Sequence, residues 1–272
     1  DDGAVTPRLR LLCSVYQYSI WAMIILVLCF FTNTIWPFIL VLAAGLSPLA
    51  IKTSALLQTD NTAGVLFCGT ASLLVYLADK YICKERWQLI GYVAAGISAG
   101  LGKQEWSIGL LLAVIVSVIV NILWCYNNNR RRILIASACI VVGLSIGNVV
   151  SYLYNSHEYM ASFGVMKEYS ILSENTSSNW MLTWIFLQKY WLPFLFICFA
   201  LQGLALFNLL FNKTETFSGL ILACFAGVLL MSYYFFNRNS DIRYFSPALP
   251  VSLLACIAGL PAIPPFRLKV II

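Results

Sequence analysis

Charged residues are scarce in this sequence, and their scarcity excludes most soluble folds. Of the 272 residues, 10% are charged, whereas 61% are hydrophobic. Soluble domains carry roughly a quarter charged residues, so this chain has less than half of the usual polar surface. A water-soluble globule of that composition would expose large apolar patches and would aggregate. We therefore expect lipid, rather than water, to surround most of the chain.

Histidine is nearly missing, and the cysteines form no ligand pattern. The sequence has 1 histidine, His157, and its 9 cysteines make no Cys-x-x-Cys pair and no cluster with histidine. The sequence therefore gives little support for a structural metal site or a thiol-redox function. We expect the cysteines to be small buried hydrophobic residues. The net charge of +6 is accompanied by no nucleic-acid-binding motif, so we expect no nucleic-acid partner.

Long apolar runs are what the sequence has in abundance. Strands of a membrane barrel would be short and alternating, whereas these runs extend for about 20 residues, which is the length a helix needs to cross a bilayer core. The sequence predicts an all-α, polytopic transmembrane helical bundle that forms a single domain over residues 1–272, with a long external loop at about 155–188. About nine spans are predicted, at 13–32, 34–54, 63–79, 87–102, 106–125, 133–154, 189–211, 217–236 and 244–264.

Alternation of the spans divides the loops between two sides of the membrane. One side receives 79–87, 126–132, 212–216 and the C-terminal tail, and the other receives the N-terminus, 53–62, 102–106, 155–188 and 237–243. Basic residues divide almost evenly, but the dense clusters at 80–86 and 130–132 favour a cytoplasmic position for the first side. Most of the acids and His157 fall on the second side, so we expect the chemistry there.

Asp60 is the first candidate for a catalytic residue. It lies in a polar island, 58–62, between two long apolar runs. A carboxylate at a membrane surface can act as a general base or orient a hydroxyl group. An N-cap for the following helix is an equally good interpretation of the same residue.

Lys103 and Glu105 follow the short predicted span 87–102, which would be only about 24 Å long as a helix. The end of such a helix would lie below the external surface, so both charges are expected near membrane depth, where ionisable groups are usually paired or functional. Glycines at 96, 100 and 102 would let neighbouring backbones approach closely. A phosphate-binding lysine and a structural Lys–Glu pair are both consistent with this pattern.

Two further groups are candidates for substrate binding. Arginine presents a fork of donors that fits phosphate, although an Arg-Tyr pair is also a common interfacial anchor. A lone histidine is more often structural than catalytic, but loops as long as 155–188 are usually functional or disordered. The candidates are Arg238, Arg243 and Tyr244 before the last span, and His157 and Glu158 at the start of the long loop.

Taken in order, these segments resemble the polyprenyl-phosphate-sugar-dependent glycosyltransferases of the GT-C superfold, in particular the protein O-mannosyltransferases and the lipid A aminoarabinose transferases. The resemblance is carried by the arginine-containing run at 8–12, the segment 46–60 that ends on the loop acid Asp60, the Gly-x-x-x-Gly-Leu-x-Lys pattern at 96–103, and the Arg-Tyr-x-x-Pro-Ala-Leu-Pro pattern at 243–250. Each motif is degenerate alone, so the specificity lies in their order and spacing.

The resemblance implies transfer of a sugar from a polyprenyl-phosphate carrier to a glycan, lipid or protein acceptor on the non-cytoplasmic face. Lys103 and Arg243 would bind the departing phosphate with help from Arg238, and Asp60 would match an acid that assists the acceptor. A bacterial plasma membrane and the endoplasmic reticulum both fit, and a requirement for a divalent metal stays open. Preplaced cations would stabilise the charge that grows as the glycosidic bond breaks.

One part of the family pattern is missing. The sequence opens on Asp1-Asp2-Gly3, without an initiator methionine or a signal-like segment, and the first helix and most of the first loop, where the family has its main catalytic acid, are absent. We expect an N-terminally truncated fragment. A transporter or flippase of a lipid-linked or anionic substrate is the first alternative, although no internal repeat supports it, and a non-catalytic membrane subunit is the second.

Overall fold

A computed structural model describes residues 7–32, 59–82, 84–124, 130–154, 156–157, 160, 217–236 and 247–259. Almost all of these residues lie in helices, and none of them lies in a β-strand. The seven helices of the described part are α1 (Pro7–Thr32), α2 (Thr59–Lys80), α3 (Glu85–Leu101), α4 (Gln104–Trp124), α5 (Arg130–Tyr154), α6 (Phe217–Phe236) and α7 (Ala248–Gly259).

The all-α class is therefore confirmed, but the structure does not support a count of nine spans. Three helices of the described part are long and apolar enough to cross a membrane, over Ala63–Lys80, Gln104–Leu123 and Arg130–Tyr154. Helices α1 and α6 contain shorter apolar stretches, Ser14–Val27 and Phe217–Leu229. Helix α3 has 17 residues and is therefore about 25 Å long, less than the roughly 30 Å of a bilayer core. The predicted spans 34–54 and 189–211 lie outside the described residues.

One face of α4 and one face of α5 consist of exposed, large apolar side chains. On α4, Ile108, Leu111, Leu112, Ile115 and Ile119 are exposed, and their spacing of three and four residues places them on one side of the helix. The opposite side of α4 is buried, with Leu110, Ala113 and Val114 in the core. A continuous apolar face of this size is stable in contact with lipid rather than with water, which agrees with a membrane protein.

Helices α3 and α5 pack backbone against backbone along a glycine seam, formed by Gly96 and Gly100 of α3 and Gly143 and Gly147 of α5. A Cβ atom on Gly100 would lie 2.7 Å from the Leu144 carbonyl oxygen, and one on Gly147 would lie 2.6 Å from the Ile97 carbonyl oxygen. Small residues four apart on both helices permit this approach, which is a common mode of helix association in lipid.

The helix ends meet in two groups. At the Asp79 end, α2 finishes while α5 and α6 begin, because the Asp79 carboxylate contacts both Arg132 and Ser218. At the Lys103 end, α3 finishes while α2, α4 and α7 begin, because Gly64, Trp106 and Pro247 are in contact. These contacts agree with the predicted grouping of the loops into two sides.

Candidate functional site

Three helix starts converge at Gly64, one turn into α2. A Cβ atom at this position would collide with the ring of Pro247, and it would lie 3.0 Å from the indole of Trp106. Pro247 directly precedes α7, and Trp106 lies in the first turn of α4. The absence of a side chain at Gly64 therefore allows α2, α4 and α7 to begin side by side.

A tight turn at Gly102 and Lys103 joins α3 to α4. The Gly102 amide donates to the Ala99 carbonyl oxygen at 3.3 Å, and the Lys103 carbonyl oxygen accepts from the amides of Trp106 at 3.0 Å and Ser107 at 3.3 Å. A Cβ atom on Gly102 would lie within 2.7 Å of an atom of the Trp106 ring. Glycine is therefore required here for steric reasons, and the Lys103 carbonyl group opens α4.

Hydrogen bonds fix this turn from two sides. The buried Ser107 hydroxyl donates to the Ala99 carbonyl oxygen at 3.2 Å, and it accepts from the Asn148 amide nitrogen at 3.2 Å. The same Asn148 nitrogen also donates to the Leu144 carbonyl oxygen at 2.8 Å. Helices α3, α4 and α5 are thus linked through two side chains next to Lys103. Sequence reasoning missed both, although Asn148 directly follows the glycine pair of α5.

Lys103 and Glu105 are half-buried beside this turn. The first amides of a helix have no partner within the helix and point outward, and the helix dipole adds partial positive charge there. Lys103 adds positive charge to a helix end that favours anions, and Glu105 in the first turn of α4 offsets part of this charge. This arrangement is chemically suited to a phosphate or carboxylate group.

Asp60 belongs to the first turn of α2. Because α2 begins at Thr59, Asp60 lies in the first turn of the helix, and the general-base and N-cap interpretations of its side chain both stay predictions. Asp60 precedes Gly64 by four residues, which is about 6 Å along the helix axis. The structure thus brings the backbone of Asp60 to the same end of the bundle as the Lys103 turn.

The remaining candidates are distributed differently. His157 is exposed, shortly after the end of α5. Glu158, Arg238, Arg243 and Tyr244 lie outside the described residues, so their predicted roles stay predictions. Arg243 precedes Pro247 by four residues in the sequence. Within the described part of the chain, no group of three or more His, Cys, Asp and Glu side chains could hold a metal ion.

The Asp79 end contains a second polar cluster, which the sequence analysis assigned to a loop without further role. The Asp79 carboxylate accepts from the Ser218 amide at 3.0 Å and from the Ser218 hydroxyl at 2.6 Å. Its other oxygen lies 3.7 Å from the Arg132 guanidinium group, and the Asp79 side chain is only 7% exposed, whereas that of Arg132 is 48% exposed. A carboxylate of α2 therefore satisfies the free amide at the start of α6 and compensates the dipole of that helix.

No protein family, curated protein or solved structure matches the chain in sequence or structure comparisons. The functional interpretation therefore depends on the geometry of the two helix ends and on the residues themselves.

Proposed function

We propose that this chain is the membrane core of a glycosyltransferase that moves a sugar from a polyprenyl-phosphate carrier to an acceptor at the Lys103 end. The acceptor would be a glycan, a lipid or a protein, and the Lys103 end would face the non-cytoplasmic side. The proposal includes a topology of about nine membrane spans.

The convergence of three helix starts at Gly64 supports this function. Asp60 precedes Gly64 by one turn, Lys103 lies in the turn just before Trp106, and Arg243 lies four residues before Pro247. The contacts among Gly64, Trp106 and Pro247 bring the starts of α2, α4 and α7 together, which supports a shared site for Asp60 and Lys103. Arg243 lies outside the described residues, and its position beside them is part of the proposal.

The chemistry of the transfer requires these residue types. As the bond between sugar and phosphate breaks, negative charge grows on the leaving phosphate, and preplaced cations stabilise that charge. In the proposal, Lys103 and the start of α4 bind the phosphate together with Arg243, while Asp60 accepts a proton from the acceptor hydroxyl. Glu105, Arg238 and Tyr244 would position the donor, and His157 and Glu158 would contact the acceptor.

Half-burial of Lys103 near the end of a short helix also fits a lipid-linked donor. The phosphate of such a donor lies at the level of the headgroups, while its chain stays in the hydrocarbon core. Because α3 is shorter than the core is thick, the turn after it can lie at or below headgroup level. A transporter would instead carry ionisable residues near the middle of its spans.

The test is transfer of radiolabelled sugar from polyprenyl-phosphate donors in membranes that express the protein from its complete gene. We expect Lys103→Ala and Asp60→Asn each to lower the transfer rate about a hundredfold or more, because the first removes a cation that stabilises the leaving phosphate and the second removes the general base. Lys103→Arg keeps the cation and should retain part of the activity. The unfolding temperature of each purified variant shows whether the fold is intact.

Unchanged transfer in both Lys103→Ala and Asp60→Asn would contradict the assignment of the site. Binding of the donor without any transfer by the parent protein would instead favour a non-catalytic subunit. Movement of the intact donor across reconstituted vesicles would favour a flippase.

A further inference from the structure

The Asp79 end of the bundle carries a dense set of exposed cations, which we call the basic end surface. Its members are exposed side chains at the end of α2, in the turn to α3, in the first turn of α3 and at the start of α5, and they are Lys80, Lys84, Arg86, Arg130, Arg131 and Arg132. The two segments are far apart in the sequence. The contact between Arg132 and Asp79 brings the start of α5 to the end of α2 and joins them into one surface.

Acidic residues compensate this surface only in part. Among the described residues at this end there are two acids, Asp79 and Glu85. The Asp79 carboxylate is nearly buried and accepts both hydrogen bonds from Ser218, so most of its capacity is used inside the bundle. Within the described part of the chain, the ion pair found at this end is that of Arg132 with Asp79.

The start of α5 adds further positive charge to the basic end surface. This helix begins with three arginines and has no acid in its first turn. The positive end of a helix dipole disfavours cations and attracts anions, so the arginines and the helix start raise the same positive potential. The Asp79 carboxylate of α2 supplies negative charge to Arg132, and a further anion at the helix start would add to this stabilisation.

Large apolar side chains border the cations on the side of the bundle. Trp87 is 60% exposed, Ile90 is 54% exposed and Leu134 is 49% exposed. Trp87 directly follows Arg86, and Leu134 follows Arg132 by two residues. Tryptophan next to basic residues at the end of a span is typical of the interface between headgroups and hydrocarbon. A soluble polyanion has no apolar part that would pack against these side chains.

From this juxtaposition we propose that the basic end surface binds the headgroup phosphates of anionic phospholipids in the surrounding bilayer. The arginines bind phosphate through forked pairs of donors, the lysines add point charges, and Trp87, Ile90 and Leu134 contact the upper acyl chains. Clusters of four to eight basic residues beside a span bind anionic lipids elsewhere. The site is separate from the Lys103 end and does not depend on the proposed transferase activity.

The experiment titrates delipidated protein in neutral detergent with phosphatidylglycerol or phosphatidylcholine and measures bound lipid by native mass spectrometry. We expect a preference for phosphatidylglycerol that weakens as salt is raised, because exposed charges are screened. Replacing Arg130 and Arg131 by Gln should weaken phosphatidylglycerol binding by about fivefold for each cation removed. Replacing both by Lys should retain most of the preference.

Glu85→Gln is the matched control of opposite sign, because it removes an exposed acid from the same surface. We expect this variant to bind phosphatidylglycerol more tightly and phosphatidylcholine unchanged. Using purified protein separates lipid binding from the effect of basic residues on the orientation of spans during insertion.

Three results would overturn the proposal. Equal binding of both lipids by the parent protein would mean that the cations serve only to orient the spans. An unchanged lipid preference in the Arg130→Gln, Arg131→Gln protein, with an unchanged unfolding temperature, would place the lipid site elsewhere. Competition by inorganic phosphate at low millimolar concentration would assign the surface to a soluble anion instead.

Discussion

The Asp79 end and the Lys103 end hold their helices together by different means. At the Asp79 end, one carboxylate accepts two hydrogen bonds from Ser218 and pairs with Arg132. At the Lys103 end, the helices meet through close contacts of Gly64 and Gly102 with the rings of Trp106 and Pro247. In lipid the hydrophobic effect does not drive helices together, so packing and polar contacts must do so. The contacts of Asp79 are polar, whereas the Lys103 end combines close glycine packing with the hydrogen bonds of Ser107 and Asn148.

Polar contacts and close backbone contacts respond differently to substitutions. A polar contact fails when one partner loses its donor or acceptor, and the loss is limited to the groups left without a partner. A close contact between backbones fails when any atom is added, because the backbones have no freedom to move aside. Steric changes at the glycine contacts are therefore expected to be the more severe of the two.

The largest effect is expected in the glycine seam that leads to the Lys103 end. A Cβ atom on Gly143 would collide with the Val93 carbonyl group and would lie 3.0 Å from the Gly96 Cα atom. Gly143→Leu should therefore lower the free energy of unfolding by about 3 kcal/mol or prevent folding, since overpacking alone destabilises by about 1–3 kcal/mol. Thermal unfolding of the purified protein in detergent measures this change.

Gly227→Ala provides the control for that experiment. Gly227 lies inside α6, and an added Cβ atom would have nothing within 4 Å. Alanine is preferred over glycine inside a helix by about 1 kcal/mol, so this variant should be neutral or slightly more stable. A stable Gly143→Leu protein, or an equal loss in both variants, would show that α3 and α5 do not pack by their backbones.

A smaller effect is expected at the Asp79 end. Asp79→Ala leaves the Ser218 amide and hydroxyl without their acceptor, and groups of this kind left unsatisfied destabilise a protein by about 1–3 kcal/mol. Asp79→Asn keeps one acceptor oxygen and should lose less. Chemical or thermal unfolding of both variants, measured beside the parent protein, orders the three stabilities.

A double-mutant cycle divides the role of Asp79 between its partners. Because the Arg132 side chain is about half exposed and its nitrogen lies 3.7 Å from the carboxylate, the coupling between Asp79→Asn and Arg132→Gln should be below about 1 kcal/mol. The coupling of Asp79→Ala with Ser218→Ala should be larger, since both Ser218 hydrogen bonds are short and shielded. The reverse order would mean that the ion pair, rather than the cap on α6, holds this end together.

Much of the helical architecture was predictable from the sequence, because apolar length is the dominant signal in a membrane protein. The predicted spans 63–79, 106–125 and 133–154 match α2, α4 and α5 to within a few residues. The short α3 and the glycine pattern in its C-terminal half were also predicted. The starts of α2, α4 and α7 lie at one end and those of α5 and α6 at the other, which agrees with the grouping that alternation predicts for these helices.

The polar contacts between helices were not predictable in the same way. Asp79 was assigned to a loop because its position at the end of an apolar run gives no indication of its partner, and Ser218 lies 139 residues away. The close approach of α3 and α5 depends on glycines of both helices, and only those of α3 were noticed. Such pairings are long-range, so a periodic pattern in one segment carries no information about them.

The smallest effect tests whether the Lys103 end depends on packing more than on hydrogen bonds. Ser107→Ala removes the contact with Ala99 and one of the contacts of Asn148, but the Asn148 amide nitrogen still donates to the Leu144 carbonyl oxygen. We expect a loss of about 0.6 kcal/mol, the typical value for such a bond between membrane helices, and a coupling of similar size with Asn148→Ala. If Ser107→Ala instead destabilises as much as Asp79→Ala in the same unfolding assay, the two ends are held by the same kind of force. The two ends would then differ in the arrangement of their contacts but not in the kind of contact. The hydrogen bonds of Ser107 and Asn148 would be the main interaction that stabilises the Lys103 turn.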